Sequence, residues 1–201
     1  VSAIRFIPVI GSIHAKNKSF FLKQICLEFI NRKIKSKYLK HETFINKQYE
    51  LFTDGSKYIF YDIDSDFLDE ECLFYLEKEI FFIISLKDSS SKDYMKLILE
   101  LSARNKDLII WIAFTDCDSD VKLDNFFSGI NYALSDNLVY CGVIPDNMSN
   151  YQMQLGGRVI KLTNIDNPYS KEIIMVVDTL LDRPQELESN FSEYKKFLEV
   201  L

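Results

Sequence analysis

A three-layer α/β sandwich, with a mainly parallel sheet and helices on both faces, is the fold class this sequence predicts. Three observations carry that reading. Five short apolar runs, rich in Ile, Val, Phe and Tyr, recur along the chain between turn signals. None alternates cleanly between apolar and polar residues, which is the habit of strands buried on both faces. Between them lie stretches of helix length whose apolar residues recur every three or four positions. Strands that alternate with helices make parallel sheets, because each crossover returns the chain to the starting end.

The elements follow in order. Ile4 to Ile10 is the first strand. A helix follows, with Phe20, Ile25, Phe29 and Ile30 on its apolar face and Leu22 and Cys26 beside them. The segment from Arg32 to Asp54 is the least regular. Its basic run (Arg32, Lys33, Lys35, Lys37, Lys40) reads as a solvated helix end, where the helix dipole favours cations. A short strand, Gln48 to Phe52, is expected within it. Tyr58 to Ile63 is the next long strand, and Leu68, Cys72, Leu73, Tyr75 and Leu76 mark the helix after it. Ile80 to Leu86 then leads, through Ser89-Ser90-Ser91, into a helix carrying Tyr94, Leu97, Ile98 and Leu101. Leu108 to Phe114 precedes a helix with Leu123, Phe126, Phe127, Ile130 and Leu134. Leu138 to Ile144 is the last strand. Asn167-Pro168 opens a helix bearing Ile173, Val176, Val177, Leu180 and Leu181, since proline suits the first helical position. A final helix, Gln185 to Leu201, aligns Leu187, Phe191, Tyr194, Leu198 and Leu201.

Composition narrows the function. The 201 residues suit one domain with a short appendage, and no apolar run approaches the roughly 18 residues of a membrane span. A net charge of -6 argues against a nucleic-acid partner, which needs a basic face. Cys26, Cys72, Cys117 and Cys141 stand far apart with no CxxC pair, and the three in apolar contexts read as buried thiols in a reducing compartment, not as a zinc site. Val1 runs straight into a strand, so no secretory leader is expected, and a start at Val suggests a fragment or processed product. There are only six glycines, well below the usual share of about 7%.

In open α/β sheets ligands bind at the carboxyl ends of the strands. The first such loop is Gly11-Ser12-Ile13-His14-Ala15-Lys16-Asn17-Lys18-Ser19. Lys18-Ser19 stands where a phosphate-binding loop keeps its lysine and hydroxyl, at a helix start. Lys18 would reach phosphate, with Gly11, Lys16 and Asn17 in the cradle, and Ser19 would hold Mg²⁺. The pattern G-x-x-x-x-G-K-[ST] is not met: Asn17 replaces the glycine before the lysine, and Gly11 is one residue early. Asn tolerates left-handed backbone and is a partial substitute. Asp62, ending the next long strand, is a candidate second Mg²⁺ ligand, and equally a polar strand end before a cap at Ser65 or Asp66.

The order of these segments resembles the MinD/ParA group of deviant Walker P-loop ATPases. Ile4 to Ser19 corresponds to its Walker A region and Tyr58-Ile59-Phe60-Tyr61-Asp62 to its D-x-P-x-G strand. Phe81 to Ser85 with Ser89-Ser90-Ser91 matches the next, and Cys141-Gly142-Val143-Ile144-Pro145-Asp146 its G-x-I-P end. The departures fall on the chemistry. Ile13 aligns with the signature lysine, and His14, Ala15 and Asn17 replace glycines. Asp62-Ile63-Asp64-Ser65-Asp66 holds no glycine to swing toward a γ-phosphate. The adenine-reading Asn after the Leu108 to Phe114 strand is missing. The resemblance therefore implies a degenerate member, TadZ/CpaE-like or FlhG-like, with a degraded Walker A in a domain spanning 1–182 and the helix 185–201 packed on it or on a partner. It implies ATP or ADP with Mg²⁺ as the cofactor if the pocket is live, Pro145 and Asp146 at the base, and weak or absent hydrolysis. It also implies a cytoplasmic homodimer that positions or regulates a pilus, flagellar or polysaccharide-secretion machine through protein partners, recruited to a pole or the inner membrane face through them.

Three other readings compete. A haloacid-dehalogenase-like phosphatase would use Asp62 and Asp64 as nucleophile and acid, with Ser85 as its second motif. A slow but working ATPase switch would share the scaffold. Asp116-Cys117-Asp118-Ser119-Asp120 places carboxylates at alternate positions, but Val121 and Phe127 stand where a calcium loop needs glycine and glutamate, so a polar loop is expected. His14 and His41 form no triad that spacing supports. The last helix carries Glu186, Glu188, Glu193 and Glu199 against Lys195 and Lys196, which disfavours direct contact with anionic lipid.

Overall fold

In a computed structural model the described residues are 4–12, 18–40, 55–63, 73, 76, 78–115, 120–130, 136–144 and 168–182. They contain six strands: β1 (Arg5–Gly11), β2 (Ser36–Lys40), β3 (Tyr58–Ile63), β4 (Glu79–Ser85), β5 (Ile109–Thr115) and β6 (Leu138–Ile144). These form one sheet in the order β2-β3-β1-β4-β5-β6, with every pairing parallel. Four helices accompany them: α1 (Lys18–Asn31), α2 (Ser91–Arg104), α3 (Asp120–Gly129) and α4 (Pro168–Leu181). The architecture is the three-layer sandwich expected, and the sheet is wholly parallel.

Alternation along each strand divides the core. Ile7, Val9, Phe60, Phe81 and Trp111 face the layer of α1 and α4, with Phe21, Ile25, Phe29, Val176 and Leu180. Phe6, Tyr61, Phe82, Ile112 and Phe114 face the layer of α2 and α3, with Tyr94, Ile98, Leu101 and Phe126. β1, β3 and β4 are buried along their whole lengths, so both faces exclude water. Leu73 and Leu76, from the expected helix after β3, are buried in the second layer. The remaining positions of that helix, the Gln48 to Phe52 strand and the helix 185–201 lie outside the described residues.

Two expectations need correction. The basic run is not one solvated helix end. α1 stops at Asn31, Arg32 and Lys33 form the turn, and Lys37 and Lys40 lie on β2. Lys33 adopts φ 63. The amide of Lys33 donates to Ile30 O and that of Ile34 to Phe29 O, closing the helix as a Schellman cap without its usual glycine. Among the described residues β2 is an edge strand, where lysines discourage pairing with other chains. Ile30 is not part of the buried face: it is 53% exposed, and Gln24 and Glu28 are buried instead. Arg32 binds Glu28 at 3.0 Å and Asp178 at 2.5 Å, joining α1 to α4.

At the amino end of the sheet a charge pair is buried outright. Arg5 opens β1 and Glu79 opens β4, each 1% exposed. Arg5 donates through Nε to Glu79 Oε1 at 2.9 Å and through Nη2 to Oε2 at 2.6 Å. Its Nη1 donates to Leu180 O, and Trp111 Nε1 donates to Glu79 Oε2 at 2.9 Å. The guanidinium also lies 5.1 Å from the Tyr58 ring centre. Burial alone would lower the Arg5 pKa, but the charge and hydrogen bonds of Glu79 raise it above its ordinary value. Arg5 therefore keeps its charge, and the pair ties β1, β4, β5 and the end of α4 together.

Gly142 has a packing cause. The β5–β6 register shifts between Ile112 and Ala113, and Gly142 there has φ 132. A Cβ at Gly142 would stand 2.9 Å from Glu172 Oε2 and would overlap Met175 Cε. This glycine lets α4 close on β6. Burial of Glu172 raises its carboxyl pKa, and a hydrogen bond from the Val143 amide only partly opposes that. A raised folded pKa gives stability that is complete below the ordinary carboxylate value and is lost as pH rises through the raised one. Glu172→Gln is therefore expected to melt higher than the parent at pH 7, with the difference vanishing near pH 4. Thermal unfolding across that pH range checks it.

Candidate functional site

Topology places a crevice at the carboxyl end of β1. β1 feeds α1 on one face of the sheet, while its neighbour β3 feeds the segment of Leu73 and Leu76 on the other. Adjacent strands whose connections leave to opposite faces open a crevice at their carboxyl ends, where α/β proteins bind ligands. The end of β1 is held in register there. The Ser12 amide donates to Ile83 O at 3.2 Å, and the Ser85 amide to Ser12 Oγ at 3.3 Å. The Tyr94 hydroxyl donates to Gly11 O at 2.7 Å. Burial first, and the charge of Asp88 second, push the Tyr94 pKa to about 12, so it keeps its proton and its role as donor.

Four side chains meet in the crevice. Lys18 and Ser19 begin α1, and Asp62 is the last residue but one of β3. Lys18 Nζ lies 2.5 Å from Asp62 Oδ1, an ion pair without the alignment of a hydrogen bond, and donates to Ile63 O at 3.2 Å. The side chains of Lys18 and Asp62 are only 13% and 8% exposed. Ser19 Oγ stands 3.5 Å from Asp62 Oδ2. Tyr38, from β2, donates to Asp62 Oδ2 at 2.7 Å and lies 2.8 Å from Ser19 Oγ. The first turn of α1 adds the partial positive charge of a helix start beside the Asp62 carboxylate.

The structure thus brings together Lys18, Ser19 and Asp62, three of the residues singled out from sequence, with Gly11 nearby as the last residue of β1. Lys16, Asn17, Pro145, Asp146 and Asp64 lie outside the described residues. Tyr38 was not foreseen, because its segment reads as a basic helix end; the only local signal was the adjacent pair Tyr38-Leu39 among the basic residues. The donor set suits the group implied by the resemblance. An ammonium at a helix start suits phosphate, and an alcohol beside a carboxylate supplies hard oxygens of the kind Mg²⁺ takes. Ser19 and Asp62 would hold the metal and Lys18 the phosphate. Bound Mg²⁺ would supply charge neutralisation to the phosphates.

Other candidates carry less chemistry. Cys26 and Cys141 are free and buried, and burial pushes each thiol to about 12, so neither is a nucleophile at neutral pH. Asp116 and Asp118, of the acidic loop, lie outside the described residues. Among the described residues no cluster of three or more His, Cys, Asp or Glu is placed to hold a metal. Among them, too, no helix is long and apolar enough to cross a membrane. A cavity of about 250 Å³ is lined by Leu86, Met95 and Phe126 together with Lys92 and Lys122, away from the Lys18–Asp62 cluster. No family model matches the chain, and no curated protein matches it significantly.

Proposed function

We propose that this protein is a degenerate MinD/ParA-like P-loop protein whose crevice binds a nucleotide through its phosphates, with little or no hydrolysis. The observation that carries the reading is the convergence of Lys18, Ser19 and Asp62 at the switch point between β1 and β3. A lysine and a hydroxyl at a helix start, facing a carboxylate that ends the neighbouring strand, make a compact set for phosphate and Mg²⁺. The site is also neutralised from within. Lys18 is paired with Asp62, so a phosphate must first draw the ammonium away from a partly buried partner. That cost weakens binding and suits a protein that acts through contact more than through turnover.

The biological role rests on the resemblance alone: a positioning, scaffolding or regulatory protein for a pilus, flagellar or polysaccharide-secretion machine, working as a homodimer beside its protein partners. Steady-state phosphate release tests the chemical part. The reading expects ATP turnover at or near the protein-free rate, with a fluorescent ADP analogue still bound. Rapid ATP turnover would make the protein a working switch instead. Hydrolysis of a simple phosphomonoester, abolished by Asp62→Asn, would replace the reading with a haloacid-dehalogenase-like phosphatase.

A further inference from the structure

We infer that Tyr38 is a built-in competitor for the metal position, a phenolic latch that holds the Ser19–Asp62 pair closed until a metal-loaded nucleotide displaces it. The inference rests on the phosphate-site reading above. Its own support is geometric. The Tyr38 hydroxyl is within hydrogen-bond distance of both oxygens assigned to the metal, 2.7 Å from Asp62 Oδ2 and 2.8 Å from Ser19 Oγ. One phenol therefore engages the two groups that a cation between them would need. The bond to Asp62 is charge-assisted, the stronger class of hydrogen bond.

The placement is rigid. Tyr38 pairs in register with Phe60, two residues before Asp62, so the β2–β3 ladder presents the phenol to the end of β3. The Schellman turn at Lys33 delivers the chain from α1 into β2, and Ser36 Oγ donates to Cys26 O at 3.0 Å to fix the strand against the helix. Lys18 then takes Asp62 Oδ1, so both oxygens of the carboxylate are engaged by the chain itself. A ligand that brings phosphate alone competes for Lys18. A ligand that brings metal as well competes for Tyr38.

Calorimetric titration of the parent and Tyr38→Phe with Mg-ADP, and with ADP in EDTA, separates these contests. The expected result is that Tyr38→Phe binds Mg-ADP about tenfold more tightly, the factor that 1.4 kcal/mol represents, and binds metal-free ADP as the parent does. Tyr38→Leu, which removes hydroxyl and ring together, is expected to show the same metal-dependent gain. Equal Mg-ADP affinity in parent and variants would overturn the latch and leave the phosphate site standing. A gain of the same size without metal would also overturn it, because a merely loosened strand behaves that way. Weaker binding by Tyr38→Phe would make the phenol a ligand contact and not a latch. No binding by parent or variants at millimolar ADP would overturn both the latch and the phosphate site.

Discussion

Glu79→Ala is expected to lower the unfolding free energy by about 3–5 kcal/mol, the cost of leaving a buried charge without its partner. The reason is the position of Arg5. Its guanidinium is 1% exposed and takes two hydrogen bonds to Glu79, so removal of the carboxylate strands a cation in the core. The Trp111 indole loses its acceptor at the same time. Against a typical margin of about 5–15 kcal/mol, such a loss threatens folding at physiological temperature. Glu79→Gln keeps the shape and one acceptor oxygen, and its cost is expected to be smaller but of the same sign. The double variant Arg5→Met with Glu79→Leu is expected to recover much of the loss, because replacing both members of a buried pair with apolar groups removes the unpaired charge. Urea unfolding of the parent and the three variants measures this. A change below about 1 kcal/mol for Glu79→Ala would show that Arg5 finds other partners.

Asp62→Asn is expected to change ligand binding in kind. The substitution keeps the shape of the side chain and removes its charge. Lys18 is then released from its 2.5 Å ion pair, and the metal loses its carboxylate. Metal-free ADP is expected to bind several-fold more tightly than to the parent, while the advantage conferred by Mg²⁺ falls by about tenfold. Stability is expected to drop by about 1.5–3 kcal/mol, the worth of hydrogen bonds to a charged group. Titrations with and without Mg²⁺, beside a melting curve, check both parts. An Asp62→Asn protein that keeps the parent's full Mg²⁺ dependence would remove Asp62 from the site.

Much of the fold was legible because burial on both faces writes itself as continuous apolar runs. The bounds of β3 and β6 agree with Tyr58 to Ile63 and Leu138 to Ile144, and the other three long strands shift by a single residue. β2 was hidden for the opposite reason. Lys37 and Lys40 lie on its more open positions, and with the buried but polar Ser36 they masked the strand that Tyr38 and Leu39 belong to. With β2 went Tyr38, the side chain that fills the site. Lys18, Ser19 and Asp62 were legible because a helix start and a strand end are visible locally. The Arg5–Glu79 pair was not, since the two residues are 74 apart and meet only because β1 and β4 are neighbours. Gly142 was read as part of a nucleotide motif, and its structural cause is the close approach of Met175 and Glu172 on α4.

The most direct test of the phosphate site is calorimetric titration of the parent protein and Lys18→Ala with Mg-ATP and Mg-ADP. Saturable binding by the parent is expected to fall at least tenfold in Lys18→Ala, with the fold intact by circular dichroism. Binding of equal strength in the two proteins would place the nucleotide elsewhere, and no binding by the parent at millimolar ligand would contradict a phosphate site at Lys18, Ser19 and Asp62.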